Sequence, residues 1–102
     1  MNKTLSYIGL CRKAGRLVIG AELTVEAIRA GKIKSAFTAK DASDNTVKRI
    51  KDACAYRSIP YKPIPYTKEQ LGAALGKESA AAVGVTDDSF AAMIANSFDV
   101  KD

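Results

Sequence analysis

The hydrophobic positions of the chain change repeatedly between helical and extended spacing. Near the amino terminus Leu5, Ile8 and Cys11 recur at every third residue, which places them on one face of a helix. Asn2 is the predicted N-cap of this helix, and Gly15 follows its end. The next run, RLVIG, is short and apolar, which predicts a strand.

The alternation continues to the end of the chain. Further strands are predicted in SAFTAKD, in PYKPIP, whose prolines favour the edge of a sheet, and in SAAAVGVTD. Helices are predicted in AELTVEAIRAG, ASDNTVKRIKDACAYRSI, TKEQLGAALG and DSFAAMIANSF. Because strands alternate with helices in a single domain of residues 1–102, we predict an α/β fold, a three-layer α/β/α sandwich.

Local signals set several helix ends. Ser43 or Asp44 supplies the N-cap of the third helix, which must end before Pro60. Thr67 and Gln70 have the spacing of a capping box at the start of the fourth helix. The two acids that precede the last helix suit the positive end of its dipole.

Composition argues against catalysis. The chain contains no histidine, and its two cysteines lie far apart, so the usual general base and metal-ligand spacings are absent. We predict a non-enzymatic protein without cofactor or metal, in which Cys11 and Cys54 are small buried hydrophobes. Because no run of about 18 apolar residues and no signal-like amino terminus is found, we expect a soluble, cytoplasmic protein that binds no membrane.

Positive charge is concentrated in the first half of the chain. Residues 1–51 carry eleven Lys/Arg against four acids, a net charge of +7, whereas residues 52–102 carry five against seven, a net charge of −2. Such a bias suits a polyanion, because each neutralised phosphate releases counterions. The pattern favours nucleic acid as a partner over a merely solvated basic surface.

The order of these motifs resembles a known family. GRLVIGAELTVEAIRAGKIKSAFTAKDAS, followed by IPYTKEQLGAALGK and AAAVGVTD, is similar to the bacterial members of the kink-turn RNA-binding ribosomal protein family, which includes archaeal ribosomal protein L seven-Ae and eukaryotic L thirty-e. DASDNTVKR, IPYK, LGAALGKE and VGVTDDSFA look like its YlxQ-type subgroup. Its most specific piece is Leu71-Gly72 with Gly76, at the family's distance from Gly20. The resemblance implies a small, mostly four-stranded mixed sheet.

The resemblance implies two adjacent RNA-contacting surfaces. In RNA-binding members the glycine-led start of the second helix has the sequence G-x-N-E-x-x-K and contacts sheared G·A pairs. Here Gly20 and Ala21 begin the segment, but Glu22, Leu23 and Glu26 stand at the three discriminating positions. Some YlxQ-type relatives also have an acid followed by Leu, whereas the acid at position 26 is a further departure.

Two interpretations of these glutamates remain open. Carboxylates accept hydrogen bonds from guanine N–H and cytosine amino groups, so an acidic recognition edge needs cations around it. The basic residues that could ring such an edge are Arg12, Lys13, Arg16, Lys32, Lys34 and Lys40. In the other interpretation the base-recognition edge is lost, and Glu22 and Glu26 are solvated.

The second implied surface is a loop of small and charged residues, namely Gly76, Lys77, Glu78, Ser79 and Ala80. Its lysine suits a phosphate and its small residues let RNA approach the backbone, although a plain entry into the last strand is the alternative. Asp41 matches an acid of the family and is expected to order the neighbouring loop. Tyr56, Tyr61 and Tyr66 could stack on bases, but we expect them to pack with the prolines at the end of the sheet.

We therefore predict a monomeric RNA-binding protein that recognises a structured, kink-turn-like RNA, with ribosomal RNA as a candidate. The alternative is a ribosome- or translation-associated protein-interaction module that has lost kink-turn recognition. The substitutions at Glu22, Leu23 and Glu26 favour this alternative. A steep loss of affinity with salt would distinguish RNA binding from a mainly apolar protein contact.

Overall fold

The computed structural model describes residues 2–98, in which helices and strands alternate as the sequence predicts. The helices are α1 (Lys3–Lys13), α2 (Ala21–Arg29), α3 (Asp44–Arg57), α4 (Lys68–Ala74) and α5 (Asp88–Phe98). The strands are β1 (Leu17–Ile19), β2 (Ser35–Thr38), β3 (Tyr61–Pro63) and β4 (Ala82–Val85). None of the helices described is long and apolar enough to cross a membrane.

The four strands form one mixed sheet in the order β1-β4-β2-β3. β4 is antiparallel to both of its neighbours, whereas β2 and β3 are parallel. The proline-rich strand β3 lies at an edge of the sheet, where a residue without a backbone N–H is tolerated because one side of the strand has no neighbouring strand to bond. The α/β class and the four-stranded mixed sheet predicted from the sequence are both confirmed.

Helices cover both faces of the sheet. On one face α1, α4 and α5 enclose a core that includes Ile8, Leu71 and Ile94. On the other face α2 and α3 pack through residues such as Ile28 and Ile50. Successive residues of β2 contribute to opposite cores, as the alternation of side chains along a strand requires. Fully burying one such Leu or Ile contributes roughly 1.5–3 kcal/mol.

Side chains cap the helices largely as predicted. Asn2 accepts a hydrogen bond from the Leu5 N–H at 2.9 Å, and Ser43, rather than Asp44, caps α3. Both hydrogen bonds of the capping box at the start of α4 are present. Asp87 accepts from the Phe90 N–H at 2.9 Å, so this acid orders the start of α5.

The tyrosines do not form a single cluster. Tyr61 and Tyr66 are half-buried, and the Tyr61 hydroxyl lies 2.7 Å from that of Thr38. Tyr56, in contrast, is 84% exposed on α3, so the prediction that it packs with the prolines is wrong. Its position in the last turn of α3 faces solvent, whereas Ile50 and Cys54 lie on the buried face.

Both cysteines are buried and unpaired, as predicted. Burial raises the pKa of the Cys11 and Cys54 thiols to about 11, because the thiolate would lose its hydration. The nearby Asp87 carboxylate adds to the rise at Cys11. These thiols are therefore packing groups rather than nucleophiles.

Strand direction gives the sheet two different ends. β1, β2 and β3 point the same way and β4 points against them. The carboxyl ends of the first three strands therefore meet the amino end of β4, at what we call the Gly20 end. The other end, where Lys34 precedes β2, is called the Lys34 end.

Candidate nucleic-acid interface

The two segments expected to contact RNA meet at the Gly20 end. The Gly20 N–H donates to the Ala82 carbonyl at 2.8 Å, and the Ala39 N–H donates to the Ala81 carbonyl at 2.9 Å. The residues that enter β4 thus lie between the start of α2 and the loop that follows β2. Such an edge beyond strand carboxyl ends is where open α/β sheets bind ligands.

Gly20 gives α2 an uncapped start. Its φ of 105° and ψ of 148° lie in a region open essentially only to glycine, and it has no side chain to cap the helix. The first N–H groups of a helix have no intrahelical acceptor, and they carry the positive end of the dipole. The start of α2 can therefore donate to a phosphate or to another RNA acceptor.

Glu22 is part of an ion pair between helices. Its carboxylate accepts two hydrogen bonds from the Arg49 guanidinium of α3, each at 3.3 Å. The Arg49 hydrogen bonds, together with its charge, lower the pKa of Glu22 below the ordinary value. The side chain remains exposed to solvent. Neither interpretation from the sequence included this pair, because 27 residues separate its members and no spacing relates them.

Leu23 and Glu26 lie along the outer side of α2. Leu23 is 59% exposed. Together with Glu26 and Lys32 it lines a shallow groove, to which Val18, Ala27 and Ala30 add apolar surface. An exposed leucine stands where RNA-binding members have a base-contacting Glu or Gln. This part of the surface is therefore more apolar than the resemblance implies.

The second loop is held by close backbone packing. A Cβ atom placed on Gly72 would lie 2.5 Å from the Ser79 Cα, so only glycine lets α4 approach this loop. The Lys77 N–H donates to the Gly72 carbonyl at 2.8 Å, and the Ala80 N–H donates to the Lys68 carbonyl at 3.0 Å. Ala80 is only 4% exposed, so its side chain offers RNA little surface.

The two ends of this loop belong to different surfaces of the molecule. Gly76 lines a groove with Arg12 and Lys13 of α1. Lys77, Glu78 and Ser79 are exposed, and Ser79 lies against α4. The Ala80 part of the loop adjoins the Gly20 end, whereas Gly76 belongs to the surface beside α1.

Lys40 and Asp41 complete the Gly20 end. The Lys40 N–H donates to the Tyr66 carbonyl at 2.8 Å, while its side chain is exposed. Asp41 accepts from the Lys68 N–H at 2.7 Å and so ties the loop after β2 to the first turn of α4. The expectation that Asp41 orders this loop is confirmed. No role for Lys68 at this site is predicted from the sequence. Its position directly after the capping residue Thr67 does mark the first turn of a helix, whose backbone N–H groups are available as donors.

Of the basic residues expected around this edge, Lys40 lies there, but the set as a whole does not surround it. Arg16 precedes β1 and Lys34 precedes β2, so both lie at the Lys34 end, and Lys32 follows the end of α2. At the Gly20 end, cations and acids nearly balance. The cations are Lys40, Arg49, Lys68 and Lys77, and the acids are Glu22, Asp41, Asp44, Glu69 and Glu78. Positive potential at this end therefore comes mainly from the starts of α2, α3 and α4.

No metal centre accompanies this surface. Among residues 2–98, no group of three or more His, Cys, Asp or Glu side chains could hold an ion. The chemistry at the Gly20 end consists of hydrogen-bond donors, acceptors and exposed lysine.

Comparison with known proteins gives consistent matches. The model of the ribosomal protein L7Ae/L30e/S12e/Gadd45 family matches residues 2–95. The RNA-binding protein YlxQ of Bacillus subtilis (strain 168) is 38% identical over 84 residues, which cover 82% of this chain and 83% of that one. The RNA-binding protein YlxQ of Enterococcus faecium is 37% identical over 89 residues, covering 87% and 84%. These names agree with the prediction of a non-enzymatic protein.

Two solved structures have the same architecture. A protein from Bacillus halodurans C, described as of unknown function, superposes with a TM-score of 0.91 at 32% identity, covering 98% of this chain and 100% of that one. The Giardia lamblia 15.5kD RNA binding protein superposes with a TM-score of 0.74 at 19% identity, covering 92% and 80%. At 19% identity, the match to the Giardia lamblia protein shows a shared fold alone.

Proposed function

Because the chain belongs to the ribosomal protein L7Ae/L30e/S12e/Gadd45 family, we propose that it is an RNA-binding protein that recognises a structured, kink-turn-like RNA at the Gly20 end. Membership confirms the resemblance drawn from the sequence, including the YlxQ-type subgroup. Recognition of G·A pairs and a ribosomal RNA partner are parts of the proposal.

One observation carries the proposal. The hydrogen bond between the Gly20 N–H and the Ala82 carbonyl holds the uncapped start of α2 beside the entry to β4. The resemblance assigns RNA contact to the start of α2 and to the loop of residues 76–80, whose carboxyl end leads into β4. This hydrogen bond restrains the backbone at the start of α2, which reduces the conformational entropy lost on binding.

The charge at this end favours recognition by shape over simple attraction. Cationic and acidic side chains nearly cancel, so helix starts and Lys40 supply the donors for RNA. Glu22 is held by Arg49 and can accept from a base amino group without an unpaired negative charge beside the phosphates. The acidic recognition edge considered from the sequence is therefore compatible with RNA, with Arg49 as its counter-charge.

The proposal is tested by titrating the protein into two labelled RNAs. One contains a kink-turn, and in the other its G·A pairs are replaced by Watson–Crick pairs. We expect tighter binding to the first, with both affinities falling as salt rises. Equal, weak affinities for the two RNAs would reject kink-turn recognition.

A pair of variants locates the contact. Lys40→Ala removes an exposed cation from the Gly20 end, whereas Lys51→Ala removes one from the middle of α3. If Lys40 contacts a phosphate, its loss lowers the salt slope for the kink-turn RNA by about one. The Lys51 variant should keep the wild-type slope. Similar changes in both variants would place the contact elsewhere.

A third variant asks whether position 26 limits recognition. Glu26→Lys restores the residue type of RNA-binding members, and the side chain is exposed, so the fold should tolerate it. We expect a larger gain in affinity for the kink-turn RNA than for the G·A-replaced RNA. An equal gain for both would mean that the added charge acts only through general attraction.

A protein-interaction module on the same fold is the second candidate. The exposed Leu23 and the apolar groove beside it favour this function, because a large exposed apolar side chain often marks a protein contact. Such a contact would weaken little with salt. Leu23→Lys would abolish it, while leaving RNA binding unchanged or stronger.

A further inference from the structure

Several basic residues lie together at the Lys34 end of the sheet, away from Gly20. The Thr86 N–H donates to the Arg16 carbonyl at 3.0 Å, and the Lys34 N–H donates to the Val85 carbonyl at 2.7 Å. The backbones that carry Arg16 and Lys34 are thus both bonded to the end of β4. Lys32 stands two residues before Lys34 in the same connection.

The ends of α2 and α3 add two arginines. The Arg57 guanidinium donates to the Arg29 carbonyl, which joins the two helix ends. Arg57 also lies beside Gly31, where a Cβ atom would be 3.9 Å from its Nη1 atom. The five cations Arg16, Arg29, Lys32, Lys34 and Arg57 are all exposed. The acids near these cations are Asp87 and Asp88, at the start of α5, together with Glu26, which lines a groove with Lys32, and Asp52, which lines one with Arg29.

Helix stability explains only part of this charge. Arg29 and Arg57 stand in the last turns of their helices, where a cation stabilises the dipole. Arg16 and Lys32 follow the ends of α1 and α2 and donate to carbonyls of their last turns, whereas Lys34 lies next to β2 and has no helix end to stabilise. Among residues 2–98, ion pairs within 4 Å join Lys48 to Asp52 and Arg49 to Glu22, and neither pair involves these three cations.

We propose that the Lys34 end is a second RNA-binding surface, which holds the phosphates of an RNA segment separate from the one at the Gly20 end. It rests on the proposal that the chain binds RNA, but not on kink-turn recognition. Five exposed cations, three in connections and two at helix ends, outnumber the four acids near them, and such a surface attracts a phosphate backbone without regard to sequence. The protein would then join two RNA segments across the sheet.

The test uses a plain RNA duplex that contains no kink-turn. The double variant Lys32→Glu/Lys34→Glu is compared with Lys3→Glu/Lys51→Glu, which changes the net charge equally at exposed positions elsewhere. We expect the first variant to lower the salt slope for the duplex by about two and to weaken binding at low salt. The control should retain most of the wild-type slope. Equal losses in the two variants would overturn the proposal.

A second measurement tests whether the two surfaces are separate. Labelled duplex is titrated into wild-type protein saturated with kink-turn RNA, and a ternary complex is expected. Full competition between the RNAs would overturn the proposal. The variant Lys32→Gln/Lys34→Gln, which adds no acid, should also weaken duplex binding, and its thermal unfolding shows whether the fold is kept.

The outcomes distinguish the two proposals. If the wild type fails to prefer the kink-turn RNA but duplex binding depends on Lys32 and Lys34, the function proposed for the Gly20 end fails and the second surface stands. If the kink-turn is preferred and the two double variants behave alike, only the second surface fails. Binding to anionic phospholipid vesicles without binding to the duplex would also reject it, because the partner would then be a membrane.

Discussion

Replacing Gly72 with alanine tests whether close backbone contact holds the loop before β4. The added Cβ atom would lie 2.5 Å from the Ser79 Cα, 2.7 Å from its N and 2.9 Å from its carbonyl carbon. Carbon atoms in favourable contact are about 3.5–4.0 Å apart. Roughly 1 Å of movement is therefore needed. Because the obstructing atoms are backbone, no side-chain rotation can provide it.

Two opposing effects determine how much Gly72→Ala changes the free energy of unfolding. Overpacking of this kind costs typically about 1–3 kcal/mol, and a backbone obstruction puts Gly72→Ala at the upper end of that range. In the opposite direction, alanine stabilises a helix by about 1 kcal/mol relative to glycine. The expected net loss is therefore about 2 kcal/mol of unfolding free energy. For a domain of this size that lowers Tm by roughly 10 °C.

Urea denaturation of Gly72→Ala and Gly9→Ala gives the comparison. Gly9 also lies inside a helix, but its added Cβ atom would be at an ordinary 3.4 Å from the Ala74 carbonyl oxygen. The control should therefore be unchanged or stabilised by up to about 1 kcal/mol. If both variants gain stability alike, the contact between α4 and the loop does not constrain the backbone, and the reasoning is wrong.

Three other predictions follow from buried or paired groups. The Thr24 hydroxyl is buried without a hydrogen-bond partner. Thr24→Val should therefore raise the free energy of unfolding by about 1–3 kcal/mol in urea denaturation. A lower free energy of unfolding would mean that the hydroxyl has a partner. Arg49→Met should raise the Glu22 pKa towards 4.5 in an NMR titration, and an unchanged value would refute the pair's role. In the wild type, the stability that this pair adds is present above pH 4.5 and is lost as pH falls through the lowered pKa. The pKa of the Cys11 and Cys54 thiols is raised from 9.0 to about 11, so both should resist alkylation at pH 8 until the protein unfolds. The free energy of unfolding should also fall as pH rises from about 9 to 11, because the unfolded thiols ionise first. Rapid alkylation of the folded protein would contradict their burial.

The sequence alone determined the features that depend on neighbouring residues. Hydrophobic spacing located the helices and strands, and Asn2, Thr67 and Gln70 were recognised as capping residues because caps act within one turn. The prolines placed β3 at an edge for a similarly local reason. Family resemblance supplied the four-stranded mixed sheet.

Only the tertiary structure decided where charges lie relative to one another. Glu22 meets Arg49 because α2 packs on α3, and nothing in the spacing of 27 residues could indicate it. The sequence offered Lys34 as a cation for the Gly20 edge, but strand direction puts it at the opposite end of the sheet. Periodicity reports which residues share a face of one element, whereas the approach of two elements depends on the packing of the whole core.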